Sequence, residues 1–194
     1  VSRLAGSHKY GSDNGQGDVA SFSRPRGIAL DSSGIVYVAD YSNHIIRKIT
    51  PVGVVSTLAG TAGEEGSADG FGAAASFNLP WSVATDSAGN VYVADTNNNR
   101  LRKIVVSTGA VTSYVGNSIA NQYNDGTGTN AYLNLPMDVF ADANGFMYVA
   151  DTQNNLVRKI SPAAEVVTVA GGGGLAGAGL IPPSSASGFW DGYG

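Results

Sequence analysis

One segment is written three times along this 194-residue chain, and that repetition limits its fold more than any other property. Arg24-Pro25-Arg26-Gly27-Ile28 leads to Val36-Tyr37-Val38-Ala39-Asp40 and on to Arg47-Lys48-Ile49. The same order returns as Leu79-Pro80, Val91-Tyr92-Val93-Ala94-Asp95 and Arg102-Lys103-Ile104, then as Leu135-Pro136, Met147-Tyr148-Val149-Ala150-Asp151 and Arg158-Lys159-Ile160. Pro25, Pro80 and Pro136 stand 55 and 56 residues apart, as do Asp40, Asp95 and Asp151. A fixed period of this length marks a repeat architecture, in which each copy is one supersecondary unit that buries its apolar face against its neighbours. A residue present in every copy is then expected to hold the unit together rather than to catalyse a reaction.

Each copy reads as four short strands. In the first they are Gly27–Asp31, Ile35–Asp40, Ile45–Thr50 and Val54–Gly60. Asp31-Ser32-Ser33-Gly34, repeated as Asp86-Ser87-Ala88-Gly89 and Asp142-Ala143-Asn144-Gly145, has the chemistry of a tight hairpin turn: Asp accepts backbone N–H groups and Gly takes a positive φ. The second strand is apolar at consecutive positions rather than alternating, which is how a strand buried on both faces reads. Four antiparallel strands per unit, each unit sandwiched between two others, predict an all-β propeller arc. The expected blades are 23–60, 79–116 and 135–171, with linkers at 61–78 and 117–134. Residues 1–22 read as the last strand of a preceding blade with its linker, and 172–194 as a Gly-, Pro- and Ser-rich linker to a further blade. Asp40, Asp95 and Asp151 each precede an Arg (Arg47, Arg102, Arg158) by seven residues, a spacing that lets the two meet across the turn as a buried ion pair.

These residues resemble the NHL repeat, a propeller unit named for an Asn-His-Leu signature. The signature reads here as Asn43-His44-Ile45, Asn99-Arg100-Leu101 and Asn155-Leu156-Val157, so the histidine survives once. The longer pattern of Pro, a strand ending in Asp, Tyr-Val-Ala-Asp and Arg-Lys-Ile carries the resemblance, which covers essentially the whole chain. It implies a β-propeller, usually of six blades. Three blades do not close a ring, so the chain reads as a segment of a longer array or as an arc completed by other copies.

Function is then sought where the repeat fails to repeat. After each proline stand Arg26-Gly27, Trp81-Ser82 and Met137-Asp138, at the start of the innermost strand and hence at the channel mouth. Arg, Trp and Met are residue types enriched at binding hot spots. Arg26, Trp81, Met137 and Asp138 are therefore the candidate binding residues, and filling of unequal gaps beneath the linkers is the structural alternative. The long third linker offers Ser184, Ser185, Ser187 and Trp190 as partner-binding or O-glycosylation candidates. Asp69, Asp125 and Asp191, each in an Asp-Gly-x-Gly motif, are weak calcium candidates, with linker pinning as the alternative.

Composition narrows the function classes. Zero cysteines exclude disulfides and thiolate metal sites, and the sequence calls for no cofactor. No run approaches the roughly 18 apolar residues of a membrane-spanning helix. A net charge of −4 argues against nucleic acid. The reading is a non-catalytic scaffold that binds protein, through self-association or further blades, within a larger extracellular or cell-surface protein. The resemblance also implies alternatives: a six-bladed metal-dependent lyase or hydrolase whose active site lies in blades outside this chain, or an RNA-binding domain. Against catalysis, His8 and His44 stand at non-equivalent places with no nucleophile–base pair in view.

Overall fold

The computed structural model describes residues 3–119 and 122–171, and they form three antiparallel sheets without an α-helix. In the first copy the strands are β1 (Gly15–Gln16), β2 (Pro25–Leu30), β3 (Val36–Asp40), β4 (Ile45–Ile49) and β5 (Val54–Ala59). The second holds β6 (Gly70–Phe71), β7 (Pro80–Thr85), β8 (Val91–Asp95), β9 (Arg100–Val105) and β10 (Ala110–Gly116). The third holds β11 (Gly126–Thr127), β12 (Pro136–Ala141), β13 (Met147–Asp151), β14 (Leu156–Ile160) and β15 (Glu165–Gly171).

The four strands expected per blade are all present, and each sheet gains a fifth. Its order is β1-β5-β4-β3-β2, repeated as β6-β10-β9-β8-β7 and β11-β15-β14-β13-β12. The added strand has two residues and comes from the linker ahead of the blade, where Gly15 pairs with Val55, Gly70 with Val111 and Gly126 with Val166. It runs straight into a one-turn 3-10 helix: Gly17–Val19, Gly72–Ala74 or Gly128–Asn130. The linker therefore shields the outer edge of its own blade, an edge that would otherwise present unpaired N–H and C=O groups.

Arg3–Gly6, expected to be a final strand, is not one. A strand needs a ladder partner, and these residues have none among those described. One bond of the repeat survives there: the Gly6 N–H donates to the Gly17 carbonyl at 2.9 Å, as the Gly60 N–H does to Gly72 at 3.1 Å.

Cores lie between blades. Tyr37, Ala39, Ile46 and Ala59 on one side of blade 1 meet Phe77, Val83, Val91, Val93 and Ile104 of blade 2. Tyr92, Ala94, Leu101 and Val115 of blade 2 meet Leu133, Val139, Met147, Val149 and Ile160 of blade 3 in the same way. This is the two-sided burial that the consecutive apolar residues of the second strand require. Each of these tyrosines packs its ring in the interlayer and aims its hydroxyl at the hairpin Asp, Tyr37 to Asp31 Oδ2 at 3.0 Å and Tyr92 to Asp86 Oδ2 at 3.2 Å.

Candidate functional site

The repeated Asp and Arg form the same polar clamp in every blade. Arg102 is fully buried. Its Nη1 donates to Asp95 Oδ2 at 2.9 Å and to the Ser76 carbonyl at 2.9 Å. Its Nη2 donates to the Ala68 carbonyl at 2.8 Å and to Asp69 Oδ1 at 2.7 Å. Arg158 does likewise with Asp151 at 2.8 Å, the Tyr132 and Asn124 carbonyls, and Asp125 at 2.7 Å. Arg47 meets Asp40 at 3.0 Å, the Ser21 and Asp13 carbonyls, and Asn14 Oδ1 at 2.9 Å. Each guanidinium thus ties its third strand to the linker ahead of it.

The Asp of each clamp is equally committed. Its Oδ1 accepts the N–H of Ser23, Asn78 or Asn134, and its Oδ2 accepts an Asn amide (Asn43, Asn98 or Asn154) as well as the Arg. Burial pushes the Asp40 and Asp95 carboxyls up from the ordinary value, against the opposing pull of those donors. Asp69 also feels burial, but the Ser113 backbone N–H and Arg102 outweigh it and hold its carboxyl low. Asp69 and Asp125, the weak calcium candidates, thus face an arginine. Among the described residues no group of three His, Cys, Asp or Glu side chains is placed to hold a metal ion.

In blades 2 and 3 the Asn-rich turns place the signature one residue earlier than the sequence reading, and in blade 1 they keep it at Asn43. The asparagines that bond to the clamp are Asn43, Asn98 and Asn154, so His44 is equivalent to Asn99 and Asn155, each a left-handed residue closing a one-turn 3-10 helix. This position bridges blades. His44 Nδ1 accepts the Leu79 N–H at 3.2 Å, and Asn99 Oδ1 accepts the Leu135 N–H at 2.8 Å. With Nδ1 accepting, the ring proton of neutral His44 sits on Nε2.

The non-repeating residues come together. Arg26, Gly27, Trp81, Ser82, Met137 and Asp138 line one open groove of about 330 Å³ at the starts of the three innermost strands. The Arg26 guanidinium lies 4.2 Å from the Trp81 ring centroid and 5.0 Å from that of Tyr41, and the two rings meet edge to face at 5.3 Å. Across the groove, Asp138 Oδ1 accepts the Ser82 hydroxyl at 2.6 Å and the Val139 N–H at 2.9 Å. Gly27 allows this crowding: a Cβ there would sit 2.5 Å from the Ser82 Cα and 2.9 Å from the Trp81 carbonyl oxygen.

Tyr41 was missed by the sequence reading, although the rule that found its neighbours also finds it. Its equivalents are Thr96 and Thr152, so it too is a position that varies inside the repeat. Thr96 instead uses its hydroxyl to bond the Pro136 carbonyl at 2.7 Å, joining blade 2 to the inner strand of blade 3. Ser184, Ser185, Ser187, Trp190 and Asp191 lie outside the described residues.

The NHL repeat family model matches residues 22–49 and 77–104. SUPPRESSOR OF QUENCHING 1, a chloroplastic protein of Arabidopsis thaliana, is 37% identical over 102 residues, which cover 52% of this chain and 10% of that protein. Teneurin-4 of Homo sapiens is 28% identical over 177 residues, 82% of this chain and 6% of that protein. The chain thus spans a tenth or less of the length of these relatives. A structural-genomics protein of unknown function from Bacteroides thetaiotaomicron superposes with a TM-score of 0.62 at 22% identity, over 77% of this chain and 36% of that one, a likeness of fold. Residues 22–49 and 77–104 are thus NHL repeats, the third copy shares their strand order and Asp–Arg clamp, and the chain carries NHL-type repeats on a β-propeller fold.

Proposed function

We propose that this chain is a non-catalytic propeller segment that recognises protein through the groove at its inner-strand ends, as an interaction scaffold within a larger protein. The observation that carries this reading is a division of labour. The Asp and Arg that repeat in every blade are consumed by internal ion pairs, whereas Arg26, Trp81, Met137 and Asp138 repeat in none and meet in one open groove. A catalytic centre would be expected to bring a nucleophile and a base, or several metal ligands, to such a place. The groove brings an aromatic-braced cation, a thioether and a carboxylate, which suit recognition better than bond cleavage. An extracellular or cell-surface setting is supported by the low share of charged residues, 13%. The chloroplastic name of the plant relative marks the alternative compartment.

The test is a photo-reactive amino acid placed at position 137, with a second at position 33 on the opposite hairpin turn, in the full-length protein in its own cells. Protein adducts at 137 that are absent at 33 and lost on Arg26→Ala are the expected result. Adducts of equal yield at both positions would refute the groove as the recognition site.

A further inference from the structure

Four of the seven arginines of this chain have their terminal guanidinium nitrogens taken up by internal acceptors. Arg47, Arg102 and Arg158 each have four acceptors, and Arg100 bonds to the Ser67 carbonyl and the Ser113 and Ser118 hydroxyls. Arg26 differs. It is held by two rings, and no carbonyl or carboxylate among the described residues accepts from it. Ring contact fixes the plane of a guanidinium while leaving its N–H edges free, which is the arrangement that meets a carboxylate with two parallel bonds.

At the other end of the groove the Asp138 carboxylate is anchored through Oδ1 by Ser82 and Val139, and Oδ2 has no partner among the described residues. Between these charges lie the half-buried Trp81 and Met137 side chains. We infer that the groove takes an extended peptide segment with an acidic side chain on Arg26, an apolar one on Trp81 and Met137, and a basic one on Asp138. The inference rests on the interaction reading above and adds the chemistry of the partner. The free cation and the free anion at opposite ends require complementary charges at opposite ends of the ligand. The open groove admits a segment that continues past both ends, and its volume suits roughly two or three side chains. Arg26 pre-positioned by aromatic contact also spares the ordering cost that a free arginine meets on binding.

The test uses the whole 194-residue chain carrying Trp190→Phe, so that Trp81 is the only indole, and the capped peptide acetyl-Gly-Glu-Leu-Lys-Gly-amide as probe. Saturable change in Trp81 fluorescence is expected. Replacing Glu by Gln in the peptide should weaken binding about tenfold, the effect of losing one charge-assisted bond. In Arg26→Gln that Glu-over-Gln preference should vanish, and Asp138→Asn should erase the preference for Lys over norleucine. Circular dichroism of each variant matching the parent confirms that the fold is kept. Equal affinity for the Glu and Gln peptides, or no saturation by any of them at millimolar concentration, would overturn the peptide chemistry. If adducts still formed at position 137 in that event, the interaction reading would stand and only the charge pattern would fall.

Discussion

Two aspartates share Arg102, and they are not equal. Asp95 is buried and neutralises a guanidinium that water cannot reach; Asp69 is half exposed. Removing one partner of a buried pair costs about 3–5 kcal/mol, whereas exposed pairs are worth about 1 kcal/mol or less. Blade 1 already carries the conservative variant, because Asn14 stands where blades 2 and 3 have Asp69 and Asp125. Asp69→Asn should therefore cost under about 1 kcal/mol and Asp95→Asn about 3 kcal/mol or more, read from urea unfolding midpoints. Alkaline pH probes the tyrosines. Burial, with the Asp31 hydrogen bond and charge, pushes the Tyr37 hydroxyl from 10.0 up to about 12, and burial with Asp86 pushes Tyr92 up as well. The folded chain then keeps protons that the unfolded chain releases, so this stabilisation is complete below the ordinary tyrosine value and drains away as pH rises toward 12. Titration by ultraviolet absorbance should find a late-ionising class of tyrosines, and Asp31→Asn should move Tyr37 back toward 10.

At the scale of elements, turns and strands were legible because their causes are local. The Asp-x-x-Gly hairpins form as read, with Asp31 Oδ1 accepting the Ser33 and Ile35 N–H groups at 2.9 Å. The two-residue edge strands were not legible. Gly15-Gln16 and Gly70-Phe71 have no strand pattern of their own and become strands only because β5 and β10 offer them an edge. The same cause hid the bridging role of His44, since the Leu79 N–H it accepts lies 35 residues away. Here the second blade supplies the control. His44→Asn should preserve stability, because Asn99 makes the equivalent bond, while His44→Ala should cost about 1 kcal/mol by stranding a donor between blades. A third contact between blades tests the inner strands. Gly27→Ala sets a methyl against the backbone of Ser82 and Trp81, atoms that cannot rotate aside, so blades 1 and 2 must part at a cost of about 1–3 kcal/mol. A thermal midpoint unchanged by that substitution would contradict the close approach of β2 and β7.

For the whole molecule, the apolar surface left over after blades have packed on one another sets the behaviour of the chain in solution. Inner positions of the stack are sealed: Val83 is 4% exposed and Val139 5%, yet their equivalent in blade 1, Ile28, is 68% exposed, with Leu30 beside it at 61%. The opposite end mirrors this. Phe140 is 63% exposed and Val157 42%, where the matching Ile46 and Leu101 are fully covered. These two faces are of the kinds that already meet twice inside the chain, front of one blade against back of the next, so one copy offers a front to which another copy presents a back. Such a contact is heterologous and propagates or closes according to the rotation between copies. The 194-residue chain alone should therefore associate with rising concentration, and Phe140→Lys combined with Val157→Lys should return it to monomers without loss of circular-dichroism signal. Charge on one face suffices, because each contact uses both. Multi-angle light scattering decides it: a parent chain that stays monomeric at high concentration, or a double variant that associates as strongly as the parent, rules out blade-on-blade association.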